Sequence, residues 1–586
     1  MTDTPNNPPA TPQSPPQIPA SIALRHVTVE SIHWPSVLDF THLFGGFRLA
    51  INPAKLAIAL LAILMIYTAG RLFDAIWGPQ VYRDEISRFV SERPEVYKAL
   101  RKTRLDNRSR DLDSLLADDH DLTSTQRVEA ADNPSRAYTT LKAFYKQQFD
   151  SDLKAAAEHR AESEKSLAPG DPPFSSSRTP AEIEQEDRAR ASARLLGSMQ
   201  HLSDVRGKGI FDSFLHFETS QFDLLVENTL SFVRITPVRS AADAFSASAE
   251  SQTVSGGLLS RDPQRIWRSD TVAGCIANMT ITGPRWLFTG TGPMQPQSDS
   301  TLKKLATRAA YLATVSLFAL FSLLVIAFAG ASIARLSALE LAGIERAPLK
   351  DIFSFALQRL FTFVKAPLMP FIILLAVGLF VAVVSTIGAI PWIGPIFIGA
   401  ALIAFLGICF ILMLLLLGIL GGFNLLYPTI AVEGADAFDA MSRSFAYVYA
   451  RPWRLLFYTV TSLIYGVITF LFVAFAVYLL FLLTHTFVGW GMGLFGTHYG
   501  TYSGLPALET LWPSPQFLQL VHPINWYAMS WPEFLGALLL HFWTFLLIAG
   551  IGAYVLSYYF SSHTIIYLLL RRSVDGQGLK EIFLEK

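Results

Sequence analysis

The charged residues best placed to do chemistry are one glutamate and three arginines between positions 433 and 454. Glu433 follows a long apolar run, and Arg443 comes soon after it in a segment with helical spacing of apolar side chains. A carboxylate and a guanidinium near the end of a membrane helix can tie neighbouring segments together at the level of the lipid headgroups. The pattern therefore predicts a structural pin in which Glu433 pairs with Arg443 or with Arg454.

The same basic residues allow a second interpretation. A lysine or arginine at the cytoplasmic surface of a bilayer gains about 1 kcal/mol from acidic lipid. Arg443, Arg451 and Arg454 would together form a site for anionic lipid headgroups. The sequence leaves both the pin and the lipid site open.

Long apolar runs without Asp, Glu, Lys or Arg dominate the chain between Arg308 and Arg571. A helix of about 20 apolar residues crosses the hydrocarbon core, where every backbone amide must be bonded internally. Six transmembrane helices follow, one at 56–77 and five in the remainder of the membrane domain, 309–571. These five are predicted at 309–334, 368–390, 396–426, 455–484 and 535–570.

The remaining segments differ from the spans in composition. Residues 1–20 are rich in proline and polar residues, which predicts a disordered tail. Residues 21–55 mix aromatic and polar side chains, as an interfacial segment would. Most charged residues lie in a large insert, 80–305, and a short tail, 572–586, ends the chain. The predicted fold class is an all-α membrane protein with a mainly helical extracytoplasmic insert.

The short loops set the expected orientation. Arginines and lysines concentrate after the second and fourth spans and at the start of the tail, whereas 388–395 has no charge and 486–532 has no Lys or Arg. The positive-inside bias places the basic loops and both termini in the cytoplasm. Residues 80–305 are then extracytoplasmic, and we expect the protein in the bacterial cytoplasmic (inner) membrane.

The insert carries helical patterns at several points. Tyr138, Leu141, Tyr145, Phe149 and Leu153 recur at helical spacing, and Thr179-Pro180-Ala181-Glu182 is a helix-start signal after a linker at 168–178. A third apolar stripe comprises Phe222, Leu225, Val226, Leu230 and Val233. The Thr, Val and Ile content of 271–282 favours a strand followed by turns.

Two basic loops each contain an amphipathic segment. The run from Pro348 to Pro367 places Phe353, Ala356, Leu357, Leu360, Phe361 and Val364 on one helical face. The run from Ala435 to Pro452 aligns Phe438, Met441, Phe445 and Val448. Each predicts an interfacial helix that leads into a span, which gives two such helices in the molecule.

Several residues of the second segment form a pattern with a known counterpart. Pro428, Glu433-Gly434, Ala440, Arg443-Ser444, Arg451 and Trp453-Arg454 resemble the signature of the membrane domain attached to bacterial glycerophosphoryl diester phosphodiesterases and related multi-pass proteins. The resemblance covers residues 310–575 and implies a helical membrane domain. The phosphodiesterase activity of such proteins belongs to a separate soluble barrel with a His-Arg-Gly start, which this chain lacks, so that activity is not carried over.

Sequence motifs for the common enzyme chemistries are absent. No GxxxxGK[ST], HExxH, CxxC or GxSxG occurs, and the predicted spans two to five hold no Asp, Glu, Lys, Arg or His. The histidines of 485–522 lack metal-ligand spacing, and no disulfide is expected between Cys275 and Cys409. We expect no cofactor, no metal and, at zero net charge, no nucleic acid partner.

Small residues mark places of close approach. Gly418 and Gly422 form a small-xxx-small site for helix packing, and Gly550 and Gly552 form a second notch. The apolar segment 388–395 turns sharply. It is either a tight hairpin or, alternatively, a re-entrant pore loop.

Three functions remain open at this point. A membrane scaffold, not an enzyme, would bind a protein or envelope partner through residues 80–305, with the lipid bilayer and anionic headgroups as its other partners. A channel or carrier for a neutral or lipid-like solute would need no buried charges. An interfacial lipid enzyme follows from the resemblance alone and lacks paired catalytic acids.

Overall fold

The structure is a computed structural model that describes residues 39–78, 81, 85–91, 94–103, 134–165, 180–232, 271–290, 301–344, 347–494, 505–518, 520, 526 and 529–583. The predicted tail 1–20, the linker 168–178 and the proposed cap Thr179 lie outside these residues. So does 233–270, which includes Val233 of the third apolar stripe.

Nearly all described residues outside short turns are helical. The main helices are α1 (Pro53–Trp77), α2 (Glu85–Ser91), α3 (Pro134–Lys165), α4 (Pro180–Arg206), α5 (Ile210–Phe232), α6 (Val272–Ala277), α7 (Thr301–Leu341), α8 (Leu349–Gln358), α9 (Leu360–Ser385), α10 (Ile393–Gly422), α11 (Leu426–Glu433), α12 (Ala437–Ala450), α13 (Pro452–Gly493), α14 (Ala507–Leu511) and α15 (Trp531–Asp575). Short helical turns occur at Asp39–Gly45, Gly46–Ala50, Thr386–Ala389 and Phe423–Leu425. Within the described residues, strand pairing is limited to one bridge between Val81 and Lys208.

Six helical stretches of the described chain are long and apolar enough to cross a membrane. They are Pro53–Trp77, Thr301–Leu341, Leu360–Ala389, Ile393–Glu433, Pro452–Gly493 and Trp531–Asp575, counted here as spans one to six. Each contains most or all of one predicted span. The predicted all-α class with about six transmembrane helices is therefore confirmed, and the protein is a multi-pass membrane protein.

Small side chains let the central helix α7 approach its neighbours. Ala327, Ala331 and Ala334 are fully buried, and a Cβ on Gly330 would lie 2.5 Å from the ring of Phe560 in α15. Dispersion contacts between closely packed helices are the main attraction in a membrane, so small residues at the interface stabilise the bundle. The core therefore lies where α7 meets α1, α11 and α15.

We call the end of the bundle that carries α8, α11, α12 and the C-terminal residues the inner end. The insert joins the opposite, outer end. Segment 39–50 packs at the inner part of the bundle between α13 and α15: Phe44 lies 5.1 Å from Tyr465 and Phe47 lies 6.0 Å from Tyr554, measured between ring centroids. The described part of the predicted interfacial segment is thus held by two spans.

Spans three and four separate from the bundle toward the outer end. Their inner halves contact α7, α11 and α12, whereas apolar side chains such as Leu375, Leu379 and Ile403 are exposed. An added Cβ on Gly378, Gly399 or Gly407 would meet no atom within 4 Å. The hairpin of α9 and α10 therefore presents most of its outer surface to lipid.

The first predicted interfacial helix differs from its prediction. The helix α8 ends at Gln358 and α9 starts at Leu360, so the break falls at Arg359 and Pro367 lies inside the span. The side chain of Arg359 donates to the carbonyl of Gly434, which holds the chain at the break. Proline is tolerated inside a span because neighbouring helices restore the lost contacts.

The buried faces of the two interfacial helices also differ from the sequence pattern. In α8 and α9, Phe355 and Phe363 are buried, whereas Leu357 and Phe361, which belong to the predicted apolar face, are exposed. Helical spacing identifies an apolar stripe but not which side of a wide stripe meets protein and which meets lipid. In α12, Met441, Phe445 and Val448 are buried as predicted, and Phe438 is exposed.

The insert is helical where it is described. The helices α3 and α4 pack face to face through Phe149, Ala191, Leu195 and Met199, which confirms the predicted helix that contains Tyr138 to Leu153 and the helix start at Pro180. The apolar stripe of α5 packs partly on α13, where the rings of Phe222 and Phe470 lie 5.1 Å apart.

The predicted strand at 271–282 is wrong. Helix α6 (Val272–Ala277) is followed by π-helical turns at Asn278–Thr282 and Trp286–Gly290, with a short α-helical turn, Gly283–Arg285, between them. Thr271 caps α6 by accepting a hydrogen bond from Gly274 N at 2.9 Å. The neighbour of this segment is the helix α5, so tertiary packing outweighs the β propensity of Thr, Val and Ile.

Candidate functional site

The strongest cluster of polar contacts lies at the inner end around Glu433. Helix α11 ends at Glu433, and Gly434 follows with φ of 65°, a left-handed conformation that glycine adopts at no steric cost. A Cβ on Gly434 would lie 2.7 Å from the ring of Phe583, so the turn also admits this residue of the C-terminal segment. The helix end therefore places the Glu433 carboxylate against α12 and α15.

Three side chains contact the Glu433 carboxylate. Arg443 of α12 donates to Oε2, Tyr567 of α15 donates to Oε1, and the Nε of Arg571 lies 3.6 Å from Oε1. Arg443 also pairs with Asp439 at 3.0 Å, and its hydrogen bond to Asp439 raises the pKa of the Arg443 guanidinium. Glu433 thus connects α11, α12 and α15.

Two further arginines fix the segment around Gly434. Arg335 of α7 is buried and donates to Ala431 O at 2.7 Å and to Phe583 O at 2.8 Å. Arg359 donates to Gly434 O, and its guanidinium lies 5.5 Å from the centre of the Phe583 ring. These arginines satisfy carbonyl oxygens that the end of α11 leaves without helical donors.

The C-terminal segment closes this cluster. Phe583 N donates to Val432 O at 2.8 Å, and Asp575 at the end of α15 accepts from the hydroxyl of Tyr447. Burial raises the pKa of Tyr447, and the neighbouring Asp575 adds to the rise. The sequence offered no sign of the contact between Phe583 and α11, because segments far apart in the chain meet there.

The four predicted site residues occupy two different environments. Glu433 and Arg443 are in contact, and Arg443 has two carboxylate partners. Arg451 and Arg454 are exposed at the start of α13, on either side of the exposed Trp453, and neither has an ion pair within the described residues. The geometry therefore assigns Arg443 to the cluster and leaves Arg451 and Arg454 accessible to headgroups.

A second ion pair lies beside the cluster and was missed by sequence reasoning. Lys55, fully buried at the start of α1, contacts Glu340 of α7 at 2.8 Å and Leu49 O at 3.1 Å. The side chain of Asn52 also donates to Glu340. Lys55 and Glu340 each stand at the edge of an apolar run. A charge in that position of a sequence usually indicates an anchor to the lipid headgroups.

The glycines at the end of α10 meet an aromatic ring. An added Cβ would lie 2.6 Å from Phe445 at Gly418 and 2.8 Å from it at Gly422. The helix that packs on this small-residue surface is α12, which is the interfacial helix and not another span. Of the second pair, Gly552 approaches Ile63 at 3.2 Å, and Gly550 has no neighbour within 4 Å.

The other candidates have ordinary surroundings. Segment 388–395 turns tightly with Trp392 at φ of 72° and 90% exposed, which favours a hairpin between spans over a loop that lines a pore. His485 contacts Glu509 at 3.4 Å and Trp512 O at 3.2 Å. Over the described ranges, no group of three or more His, Cys, Asp or Glu side chains is arranged to hold a metal ion.

Arg71 and Asp74 of α1 bind the insert. Asp74 accepts from Phe211 N at 2.7 Å and from Asp212 N at 3.0 Å, which caps the start of α5. Arg71 pairs with Asp212 at 3.2 Å. The two residues therefore attach the insert to the first span.

Comparison with known proteins adds no relative. No family model matches the chain, and no curated protein or solved structure matches it either. The resemblance to the phosphodiesterase-linked membrane domain therefore stays a prediction. Two of its residues, Ala440 and Ser444, are buried where α11 meets α12, and Ser444 Oγ lies 3.0 Å from Thr429 Oγ1.

Proposed function

We propose that the protein is a scaffold of the bacterial cytoplasmic membrane, not an enzyme, that presents its insert, 80–305, to a protein or envelope partner. The observation that carries this proposal is the construction of the α3–α4 hairpin. Its apolar cluster is formed by residues of these two helices, and charged side chains such as Arg190 and Arg194 face outward. A helical hairpin that buries its own core leaves its outer faces free for recognition.

The inner-end cluster supports a structural role over catalysis. Both oxygens of the Glu433 carboxylate are engaged by protein side chains, Oε2 by Arg443 and Oε1 by Tyr567 and Arg571, which suits a structural contact better than a catalytic one. Buried arginines facing backbone carbonyls fix helix ends. The cluster therefore acts as a structural pin that holds the inner ends of α11, α12 and α15 together.

The distribution of basic residues supports an inner end in the cytoplasm. Lys350, Lys365, Arg451 and Arg454 are exposed there, at the borders of lipid-exposed apolar side chains. Exposed arginine and lysine beside Trp453 are typical of an interfacial anchor on the side of the membrane that carries acidic lipid. Both termini are then cytoplasmic, and the α3–α4 hairpin of the insert is extracytoplasmic.

Site-specific photocrosslinking in intact cells tests the scaffold. A photoreactive amino acid at Lys154 or Glu158, both exposed on α3, is expected to give one discrete adduct that is shared by the two positions and identified by mass spectrometry. The matched control is the same amino acid at Ile403, an exposed apolar residue of α10 that should give lipid adducts. Absence of any shared protein or envelope adduct from α3 would contradict the proposal.

One observation favours a second candidate, a carrier for a neutral or lipid-like solute. The outer halves of spans three and four leave the bundle and expose apolar surface that a lipid tail could follow. Vesicles reconstituted with the purified protein would then accelerate the transbilayer movement of a fluorescent lipid. We expect no acceleration over protein-free vesicles if the protein is a scaffold alone.

A further inference from the structure

A helical hairpin of the insert packs along the first span. Helix α5 runs antiparallel to segment 271–290. Two polar side-chain contacts join them: Asn278 Nδ2 donates to Gln221 Oε1 at 3.1 Å, and Asn228 Nδ2 contacts Cys275 Sγ at 3.5 Å. Cys275 is fully buried. Polar side chains between helices stabilise their association where little water is available.

The hairpin is attached to the bundle at both ends. Near its start, a Cβ on Gly70 of α1 would lie 2.4 Å from the ring of Phe211. Farther along, Val226 and Leu230 pack on Val467 of α13. The helix between Phe211 and Val226 rises about 22 Å, so the hairpin follows the bundle over most of the length of a span.

Glu218 points into the interface of this hairpin. It lies one turn before Gln221, and its Oε1 atom is buried without a hydrogen-bond partner within the described residues. A Cβ on Gly283 of the opposite segment would lie 2.2 Å from that atom. Glycine at this position therefore makes room for the carboxyl group.

The charged groups of the packed elements are engaged elsewhere or lie on other faces. Arg71 pairs with Asp212, Asp74 caps α5, and Arg285 lies 5.9 Å from the centre of the Phe89 ring. On α5 itself, His216, Asp223 and Glu227 are exposed; on neighbouring elements, Arg308 donates to Phe288 O and Glu85 pairs with Arg101.

We propose that Glu218 is a proton-binding site, occupied when the α5 hairpin is closed and emptied when the hairpin opens. A neutral carboxylic acid fits an apolar interface, whereas a carboxylate without a counter-charge is costly there. Loss of the proton therefore favours separation of segment 271–290 from α5. Nothing in the scaffold proposal requires this site, so the two can fail independently.

The direction of the pH dependence follows from burial. Burial raises the pKa of Glu218 from 4.5 to about 8 in the closed hairpin. In an opened hairpin the acid regains its ordinary pKa, so between pH 4.5 and 8 the open form has lost a proton that the closed form retains. The opening equilibrium is expected to rise up to about tenfold per pH unit over this window and to level off above pH 8.

Cys275 reports on opening, because its thiol becomes accessible only when the hairpin separates. The second thiol, Cys409, is exposed and is removed by Cys409→Ala in the full-length protein in lipid nanodiscs. The rate of alkylation of Cys275 by a maleimide is measured from pH 5 to 9 and divided by the rate in Glu218→Gln. This ratio cancels the pH dependence of the thiol itself.

The ratio is expected to increase with pH until about pH 8 and then to become constant. Glu227→Gln, a change of an exposed acid on the same helix, should keep the wild-type profile. If Glu218→Gln does not fold, the alkylation profile of Glu218→Asp is compared directly with that of the wild type and should show the same rise at a displaced midpoint. A pH-independent ratio would overturn the proposal, and so would a rise that sodium ions suppress at constant pH, which would indicate a cation site instead.

Discussion

Glu433 is the residue on which the inner-end cluster depends, because one carboxylate serves three donors on two helices. Arg571 is almost fully buried, so removing the charge of Glu433 leaves a buried guanidinium without its acid. Loss of one partner from a buried ion pair typically costs about 3 kcal/mol, whereas a half-exposed pair contributes about 1 kcal/mol.

We therefore expect Glu433→Gln to lower the free energy of unfolding by about 3 kcal/mol and Arg443→Gln by about 1 kcal/mol. Unfolding of the purified protein by titration with a denaturing detergent measures both values. Equal losses in the two variants would show that the pair with Arg443 carries the stability. Loss of a lipid-turnover activity with unchanged stability would favour the interfacial enzyme instead.

Arg451 and Arg454 are expected to act on lipid and not on the fold. Each lacks an ion pair within the described chain, and each should contribute about 1 kcal/mol to the binding of acidic headgroups, or about fivefold in affinity. Retention of phosphatidylglycerol by Arg451→Gln and Arg454→Gln, measured by native mass spectrometry, should fall by that factor for each substitution.

Arg443→Gln is the matched control for this effect. The charge of Arg443 is already balanced by Glu433 and Asp439, so lipid retention should stay near the wild-type value. A larger loss of acidic lipid in Arg443→Gln than in the other two variants would support the three-arginine lipid site and contradict the division made here.

At the scale of elements, the contact between α10 and α12 depends on glycine. Gly418→Ala would place a Cβ 2.6 Å from the Phe445 ring, and overpacking of this kind costs about 1–3 kcal/mol. Gly407→Ala in the same helix meets no atom within 4 Å and should be neutral or slightly stabilising, because alanine favours the helix. The same detergent titration measures both variants.

A second substitution at Phe445 shows whether Gly418→Ala destabilises the protein through a clash with that ring or through the backbone of α10. Phe445→Leu shortens the side chain opposite Gly418, so the double variant should recover part of the stability lost in Gly418→Ala. If the double variant shows the simple sum of both losses, the two residues are not in contact and the arrangement of α10 on α12 is different.

The spans were predictable because their signal is local: about 20 apolar residues need no knowledge of the rest of the chain. The ion pair of Lys55 with Glu340 and the buried Arg335 were not, because a charge at the edge of an apolar run has the same appearance whether it meets water, headgroups or protein. Segment 271–282 has β-prone residues, yet its partner is a helix. The break at Arg359 likewise depends on Gly434, which lies far away in sequence.

At the scale of the whole molecule, the charge asymmetry of the short loops at the two ends predicts the orientation. Exposed cations such as Lys350, Lys365 and Arg454, which have no ion pair among the described residues, lie at the inner end, and the turn 388–395 at the outer end has no charged residue. Because positive loops remain in the cytoplasm during insertion, the chain should have its inner end there and its α3–α4 hairpin on the opposite side.

Single cysteines in a background of Cys275→Ala and Cys409→Ala test this orientation. Lys154→Cys on α3 should react in intact spheroplasts with a maleimide that cannot cross membranes, whereas Lys350→Cys on α8 should react only after permeabilisation. Both positions are exposed lysines on helices, so differences in local accessibility are small. The reverse pattern would place the insert in the cytoplasm, where an envelope partner could not reach it, and the scaffold would have to serve a cytoplasmic protein.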